Sequence, residues 1–465
     1  MHVERRIVVY IGFEFGAGIA HYVPLCSLCR AVPGRGRTAT VPHSTARPGP
    51  KRGFFVNTVE KSYARMMKTG KREIIVIGGG VIGLSSAWWL LEAGFEVRLL
   101  ERAPQLASGA SARNGGQLSY RYVAPLADAG VPWKALQWLC QRDGPLRFKP
   151  EADLRQWRWL AQFLAHCRAG VHRKTTIELL QLGETSRLAM AQLDLPPAEF
   201  AWREAGKLVV YRSRKALARV DNGQLLSAAE CVALEPALAA VEGELAGGVY
   251  NPGEAVADCH AFCLALAKRL AAHPRFGGLV HAEARAFVVE GGKVTGLATS
   301  TGMLAADAFV LAAGIDSRTL AASAGIYLPL YPIKGYSLSA PIRASDLAPE
   351  ISVTDFERKV LYARIGGQLR VAAMADLVGE DTSIDPRRVA ALLRQVRATM
   401  PHGADYSALT TWAGLRPATP GGAPIIGATR YDNLWLNVGH GALGFTFACG
   451  SARILADAMR GQAVS

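Results

Sequence analysis

Three glycines and one glutamate carry the clearest chemistry in the chain. Gly78, Gly80 and Gly83 stand as Gly-x-Gly-x-x-Gly, and Glu101 follows 21 residues after Gly80. In such a unit the first glycine makes a tight turn, the second lets backbone amides approach a pyrophosphate, and the third lets helix and strand pack closely. The helix that follows presents unpaired N–H groups and about half a positive charge to the phosphates. Glu101 is spaced to accept hydrogen bonds from the adenosine ribose hydroxyls, and its charge disfavours a 2′-phosphate. This constellation predicts a dinucleotide site and does not by itself choose between FAD and NAD.

A Gly-x-Gly-x-x-Gly string alone is weak evidence, so the elements around it decide. Ile74 to Ile77 is a β-branched run suited to a central parallel strand, LSSAWWLLEAG continues as a helix ending at Gly94, and FEVRLLE reads as the next strand. The 18 uncharged residues from Ile74 to Leu91 are long enough to suggest a membrane span. Three consecutive glycines in their middle read instead as strand, turn and helix start. No other stretch qualifies.

The 465 residues are too many for one small domain and predict two or three. The net charge is +15, but residues 1–66 hold 10 Lys/Arg against 3 Asp/Glu, leaving 43 against 35 for the rest. The body is therefore mildly basic, with no long cationic block and no interleaving of basic and aromatic residues, which argues against nucleic acid. A mildly basic surface favours anionic lipid or a carboxylate substrate instead. Eight cysteines do not make a disulfide scaffold. Cys26 and Cys29 form a lone CxxC, Cys259 and Cys263 read as buried apolar residues, and no metal site is expected. Residues 1–66 combine an apolar run interrupted by Glu14 with a Pro-, Gly- and Arg-rich stretch, and Met66-Met67 stand just before the first strand. They are read as a disordered or non-native extension.

Segments further along point to a family. After Glu101 the chain reads RAPQLASGASARNGGQLSYRYVAPLADAGVPWKALQWL; later come YPIKGYSLSAPI and TTWAGLRPATPGGAPIIGATRYDNLWLNVGHGALGFTFACGS. Together these resemble the D-amino acid dehydrogenase small-subunit family, within the D-amino acid oxidase-like FAD superfamily. The resemblance runs from about Lys71 to the C-terminus and is most specific in its last segment. It departs in SGASARNGG, where members often carry a Ser-Phe-Ala-Asn-type stretch.

The resemblance implies an α/β fold: a Rossmann-type FAD-binding domain interleaved with an α+β substrate domain that carries a mixed or antiparallel sheet. The FAD domain is expected from residues 67–120, 251–325 and 408–465, and the substrate domain from 121–250 and 326–407. Coarse patterning agrees. HAFCLALAKRLAAH is helical, ADAFVLAAGIDS is a buried strand ending at Ala313-Gly314, and KVLYARIGGQLRVAAM suits a sheet. Trp157, Trp159 and Phe163 read as core.

Site residues carry over one by one. Gly78, Gly80, Gly83 and Glu101, with the flanking Ile77, Val81, Ile82 and Arg102, match the FAD fingerprint. Ala284 matches the position whose backbone meets adenine, and Ala313 and Gly314 fall at a second turn near the cofactor. Asn114, Gly115, Gly116 and Gln117 match the stretch along the isoalloxazine ring; two glycines after Asn suit close backbone approach to a flat ring. Gly441, Leu443, Gly444 and Phe445 match the loop leading into the C-terminal helix, whose N-terminus can stabilise negative charge at flavin N1 and O2. Arg416, in AGLRP, matches the arginine that grips the substrate carboxylate, a task suited to a planar bidentate guanidinium. Tyr336, in KGYS, is a candidate for hydrogen-bonding substrate, with packing on the sheet as its bland alternative. His440 is a candidate for polarising the flavin loop. Tyr362, Arg364 and Arg370 are weaker candidates on the presumed pocket sheet.

The activity implied is oxidative deamination of a D-alanine-like D-amino acid to a 2-oxo acid and ammonium, with hydride passing from Cα to N5 of non-covalently bound FAD. The resemblance further implies electrons going to a quinone or another respiratory-chain acceptor, a cytoplasmic location, and peripheral association with the inner membrane. Relatives specialised for glycine, sarcosine or D-hydroxyproline and an oxygen-using oxidase share these motifs. A non-catalytic FAD-binding protein is the alternative of another class. No Ser-His-Asp nucleophile pattern competes.

Overall fold

A computed structural model describes residues 72–462 apart from 142 and 221–222, together with the backbone of a short hairpin pairing Tyr10–Phe13 with His21–Pro24. The remaining residues expected to form an N-terminal extension, Cys26 and Cys29 among them, lie outside the described residues.

Two sheets organise the chain. The first runs in the order Phe276–His281, Glu96–Glu101, Glu73–Ile77, Ala308–Leu311, Leu434–Val438, Ile425–Ala428, parallel except for its last strand. Its central strand is buried on both faces, as a β-branched run between two layers must be. One face is covered by the helices Val81–Glu92, Cys259–Ala271 and Gly444–Gln462, packed through Leu84, Leu91, Phe262, Phe445 and Leu455. The other carries a three-stranded meander from Ala284 to Leu304, packed through Phe287 and Leu297. The helix after the glycine turn stops where the sequence predicts. Gly94 takes φ +100°, and the N–H groups of Gly94 and Phe95 donate back to Leu91 and Leu90 in a Schellman motif.

The second sheet runs Thr410–Ala418, Tyr331–Pro341, Gln368–Leu377, Val360–Ile365, Ser352–Asp355, Lys207–Tyr211, Gly247–Asn251, Gln224–Leu226, with Leu146–Phe148 added beside Gln368–Leu377. Ser352–Asp355 pairs in parallel with Lys207–Tyr211, as Leu146–Phe148 does with Gln368–Leu377, and the other pairings are antiparallel, so the sheet is mixed and largely antiparallel. The chain passes between the sheets repeatedly, which is the expected interleaving. The segment from residue 408 serves both: Thr410–Ala418 edges the second sheet, and only from Ile425 does the chain rejoin the first. Among the described residues no helix is long and apolar enough to cross a membrane.

Candidate functional site

The region expected to hold the nucleotide is built almost entirely from backbone. Gly78 takes φ +113°, and a Cβ there would lie 2.5 Å from the Ala312 carbonyl oxygen. The strand ending at Leu311 therefore presses Ala312 and Ala313 against the turn, and the Ala312 N–H donates to the Ile77 carbonyl at 2.9 Å. At Gly83 a Cβ would lie 1.7 Å from the Gly78 carbonyl, so no other residue fits. The Glu101 carboxylate accepts from the N–H groups of Gly79 at 2.6 Å and Ala103 at 2.8 Å, which fixes it at the mouth of the turn. Ile77 and Val81 are buried, Ile82 packs partly against the core, and Arg102 pairs with Asp316 at 2.8 Å on the rim. Ala282 donates to the Glu101 carbonyl, which brings the strand beginning at Ala284 to the same edge. Gly314 turns the chain there at φ +59°. Ser111 escaped the sequence reading: its Oγ accepts from the Val81 N–H at 3.0 Å and caps the helix whose Gly80 has no side chain to do so.

The Asn114–Gln117 stretch lies on the second sheet. A Cβ on Gly115 would lie 3.3 Å from Leu361 and Ala372, and one on Gly116 only 2.2 Å from Ile365. Asn114 Oδ1 accepts from the Gly116 N–H at 2.9 Å, holding Gly116 at φ +73°. Arg370 donates to the Asn114 carbonyl at 2.9 Å. Gln117 reaches Ser352 through Nε2 and accepts from Lys207 Nζ at 2.6 Å. Thr446, in the first turn of the C-terminal helix, donates to the Gln117 carbonyl and accepts from the Ser119 N–H. The loop Gly441–Leu443 is thereby carried to the same stretch. Phe445 turns its ring into the core, 5.4 Å from that of Phe262, so only the backbone of Gly444 and Phe445 can serve a cofactor. Leu443 packs partly beside Val123 and Phe447.

Strand register decides which side chains share this face. Leu361, Ala372, Ser337 and Trp412 form one cross-strand row, and Leu361 and Ala372 are the residues that meet Gly115. Side chains alternate along a strand, so Trp412, Gly414 and Arg416 point the same way. The contacts agree: a Cβ on Gly414 would lie 1.9 Å from the Trp412 ring, and one on Gly335, its partner across the ladder, 2.2 Å from the Arg416 guanidinium. Arg416 and Trp412 thus stand over a floor of two paired glycines. Arg416 Nη1 donates to the Met374 carbonyl at 2.7 Å, available because Met374 bulges at φ +66°. Burial pushes the guanidinium below its usual value while Asp376 pulls it back, and arginine stays a cation throughout.

Tyr336 occupies the opposite face. It pairs with Ala373 and Ala413, packs with Leu338, Val360, Tyr362 and Met400, and is 1% exposed. The structure brings Arg416 to the Gly115–Gly116 face and does not bring Tyr336 or Tyr362 there. Arg364, at the far end of its strand, is tied to Glu350. His440 is buried and bridged to Ala418, so it joins the Arg416 strand to the C-terminal loop. Desolvation pushes its pKa down to about 3, which leaves a neutral imidazole and a weak base. Trp412, Gly335 and Gly414 were absent from the sequence reading. Isolated glycines inside strand patterns, as in KGYS and WAGL, are the signal of close approach that points to them.

The backbone cradle, the anchored glutamate and the glycine pair on the second sheet fit an extended dinucleotide carrying a flat ring. The sequence pattern of the family described as FAD dependent oxidoreductase matches residues 73–458, and the chain belongs to that family. Among its relatives, a Pseudomonas aeruginosa protein named D-amino acid dehydrogenase 2 is 48% identical over 400 residues, covering 83% of this chain and 94% of that protein. A Vibrio cholerae protein named D-amino acid dehydrogenase is 38% identical over 399 residues, again covering 83% and 94%. Of solved structures, a Geobacillus kaustophilus glycine oxidase superposes with a TM-score of 0.64 at 22% identity, covering 83% of this chain and 95% of that one. That likeness speaks for the fold, and the FAD cofactor follows from the family.

Proposed function

We propose that this protein oxidises D-amino acids of the D-alanine type to 2-oxo acids and ammonium. The observation that carries the reading is the Arg416 guanidinium set over Gly335, beside the Trp412 ring over the paired Gly414, on the sheet face that meets Gly115 and Gly116. The relatives named D-amino acid dehydrogenase support it.

FAD, when bound, supplies the acceptor for the electron pair that leaves with the substrate's Cα–H. The chain supplies position and electrostatics. The glycine turn and the start of the Val81–Glu92 helix would hold the pyrophosphate, and Glu101 would hold the ribose. The backbone from Asn114 to Gln117 and the loop from Gly441 to Phe445 would hold the ring. Arg416 grips the substrate carboxylate in bidentate fashion. The glycine pair lets the Arg416 guanidinium and the Trp412 ring lie directly on the sheet. Substrate must react with a neutral amine, whose lone pair supports the forming C=N bond. Neutral His440 contributes hydrogen-bonding capacity rather than proton abstraction. On this reading a quinone or other respiratory-chain acceptor would take up the electrons, and the protein would rest peripherally on the cytoplasmic face of the inner membrane.

Anaerobic mixing with D-alanine should bleach the flavin absorbance, and L-alanine should not. Absence of bleaching across a D-amino acid panel, with glycine and sarcosine as alternates, defeats the substrate assignment. A quinone analogue supporting turnover faster than oxygen distinguishes dehydrogenase from oxidase.

A further inference from the structure

Lys207 opens the strand Lys207–Tyr211 and is 2% exposed, yet among the described residues it forms no ion pair. Its Nζ donates to Gln117 Oε1 at 2.6 Å and to Ser119 Oγ at 2.8 Å, and sits 4.4 Å from the centroid of the Tyr122 ring. Both acceptors belong to the segment that follows Gly115–Gly116. That segment is also clamped by Thr446 at the start of the C-terminal helix. Removing an ammonium from water costs several kcal/mol, which two neutral acceptors and a ring recover only in part. A fold that keeps such a group gains from any negative charge placed nearby.

We propose that Lys207 is a positioning residue for the cofactor: its buried ammonium, acting through Gln117 and Ser119, favours the electron-rich state of the ring. The proposal rests on the reading that sets the ring against Asn114–Gln117. Hydride carries two electrons and one proton, so its transfer leaves the cofactor one unit more negative. That charge raises the proton affinity of Lys207, which takes its proton from solvent.

The groups facing the ammonium are few. The Glu254 carboxylate, held by the N–H groups of Tyr120 and Arg121, attracts it from beyond ion-pair distance. The Tyr122 ring, Gln117 and Ser119 meet it from one segment, and Ser352 is its register partner on the neighbouring strand. Burial lowers the lysine's pKa to about 7 against the pull of Glu254, and burial raises that of Glu254. Lys207 is therefore set to change charge near neutral pH.

The test is the midpoint potential of the bound flavin by dye equilibration from pH 6 to 9, with sulfite affinity at pH 7 as a second probe of positive charge at the ring. In the wild type the potential should fall more steeply with pH above about 7, where reduction draws a proton onto Lys207. Lys207→Met should have a lower potential without that steepening and bind sulfite about tenfold more weakly. Lys207→Arg, charged at every pH, should keep the higher potential and the sulfite affinity while losing the steepening. Equal potentials and sulfite affinities in all three proteins overturn the proposal. If Lys207→Met does not retain FAD, a wild-type slope that never steepens, or matches that of Lys207→Arg, overturns it equally. These readouts need no amino acid. A flavin that D-amino acids fail to bleach but that responds to Lys207 refutes the substrate reading and supports this one.

Discussion

The two candidate sites, one on each sheet, are built in different ways. At the first sheet the groups offered to a ligand are backbone: turns at the carboxyl ends of parallel strands, a helix start, and one carboxylate pinned by the N–H groups of Gly79 and Ala103. At the second sheet they are side chains, and what decides their role is the face on which register places them. Arg416 and Trp412 lie on one face and Tyr336 on the other, although all three sit in adjacent strands. A backbone site tolerates change in nearly every side chain and almost none in its glycines. A register site is the reverse, since one residue's step along a strand moves a group from the ligand to the core.

The sharpest test of the first half of that contrast is Gly83→Val. A Cβ at this position would lie 1.7 Å from the Gly78 carbonyl, so helix and turn must separate. The cost should reach about 3 kcal/mol or more. The purified variant should be colourless, with a lower Tm that added FAD does not restore. A yellow variant with wild-type stability would show that the turn is not the cradle described. The corresponding test of the second sheet is Arg416→Ala. Leaving a substrate carboxylate unpaired should cost about 2–5 kcal/mol in kcat/KM, with FAD content unchanged. Arg416→Lys should recover only part, because an ammonium cannot reproduce the bidentate fork. Unchanged kcat/KM on D-alanine removes Arg416 from the substrate site.

The same contrast explains what could be read from the chain. The dinucleotide unit lies within residues 73–101, and its meaning is local: glycine spacing, a β-branched run, an acid at a set distance. The mixed second sheet was legible as a class, since VLYARIGGQLRVAAM alternates as strands do. Which face each residue takes was not legible. Face depends on the register between Tyr331–Pro341 and its two neighbours, and on the bulge at Met374 that shifts one of them. A β-branched run does not announce a bulge in a strand far along the chain. Arg416 was found through family resemblance, while Trp412 and the two paired glycines needed the ladder. Ser111 was missed because it caps a helix 30 residues before it in sequence.

His440 follows the Leu434–Val438 strand of the first sheet and bridges to Ala418 at the end of a second-sheet strand, so it sits buried at their junction. Its pKa is lowered from 6.5 to about 3 by burial. Between those values the unfolded chain binds a proton that the folded chain does not, so stability falls as pH falls and is complete above about 6.5. The contribution approaches about 1.4 kcal/mol per pH unit inside that window. Buried carboxylates such as Glu254 and Asp376, whose pKa values are raised, act with the opposite sign. The difference between wild type and His440→Gln is therefore the quantity to read. The variant should lose less stability from pH 6.5 to 4.5 in urea titrations. Parallel pH profiles for the two proteins would mean that His440 is solvated and the junction open.

The smallest expected effect is the most informative about register. Tyr336 sits in a motif that reads as pocket-lining, yet it lies in the same core cluster as Leu338 and Met400, away from the Arg416 face. Among the described residues its hydroxyl has no hydrogen-bond partner. Tyr336→Phe removes only that hydroxyl and keeps the volume of the ring. No bond is lost and no cavity is made, so stability should change by less than about 1 kcal/mol, with a gain as conceivable as a loss. kcat/KM on D-alanine should stay within about threefold of wild type, because the missing oxygen lies on the far side of the sheet. A loss of tenfold or more at unchanged Tm would mean that the hydroxyl reaches substrate. The strand would then have to slip by one residue on binding, which moves Ser337 out of the row it shares with Ala372 and Trp412. Such a slip breaks nine paired positions between Tyr331–Ser339 and Thr410–Ala418, a price that no single hydrogen bond to a small substrate repays.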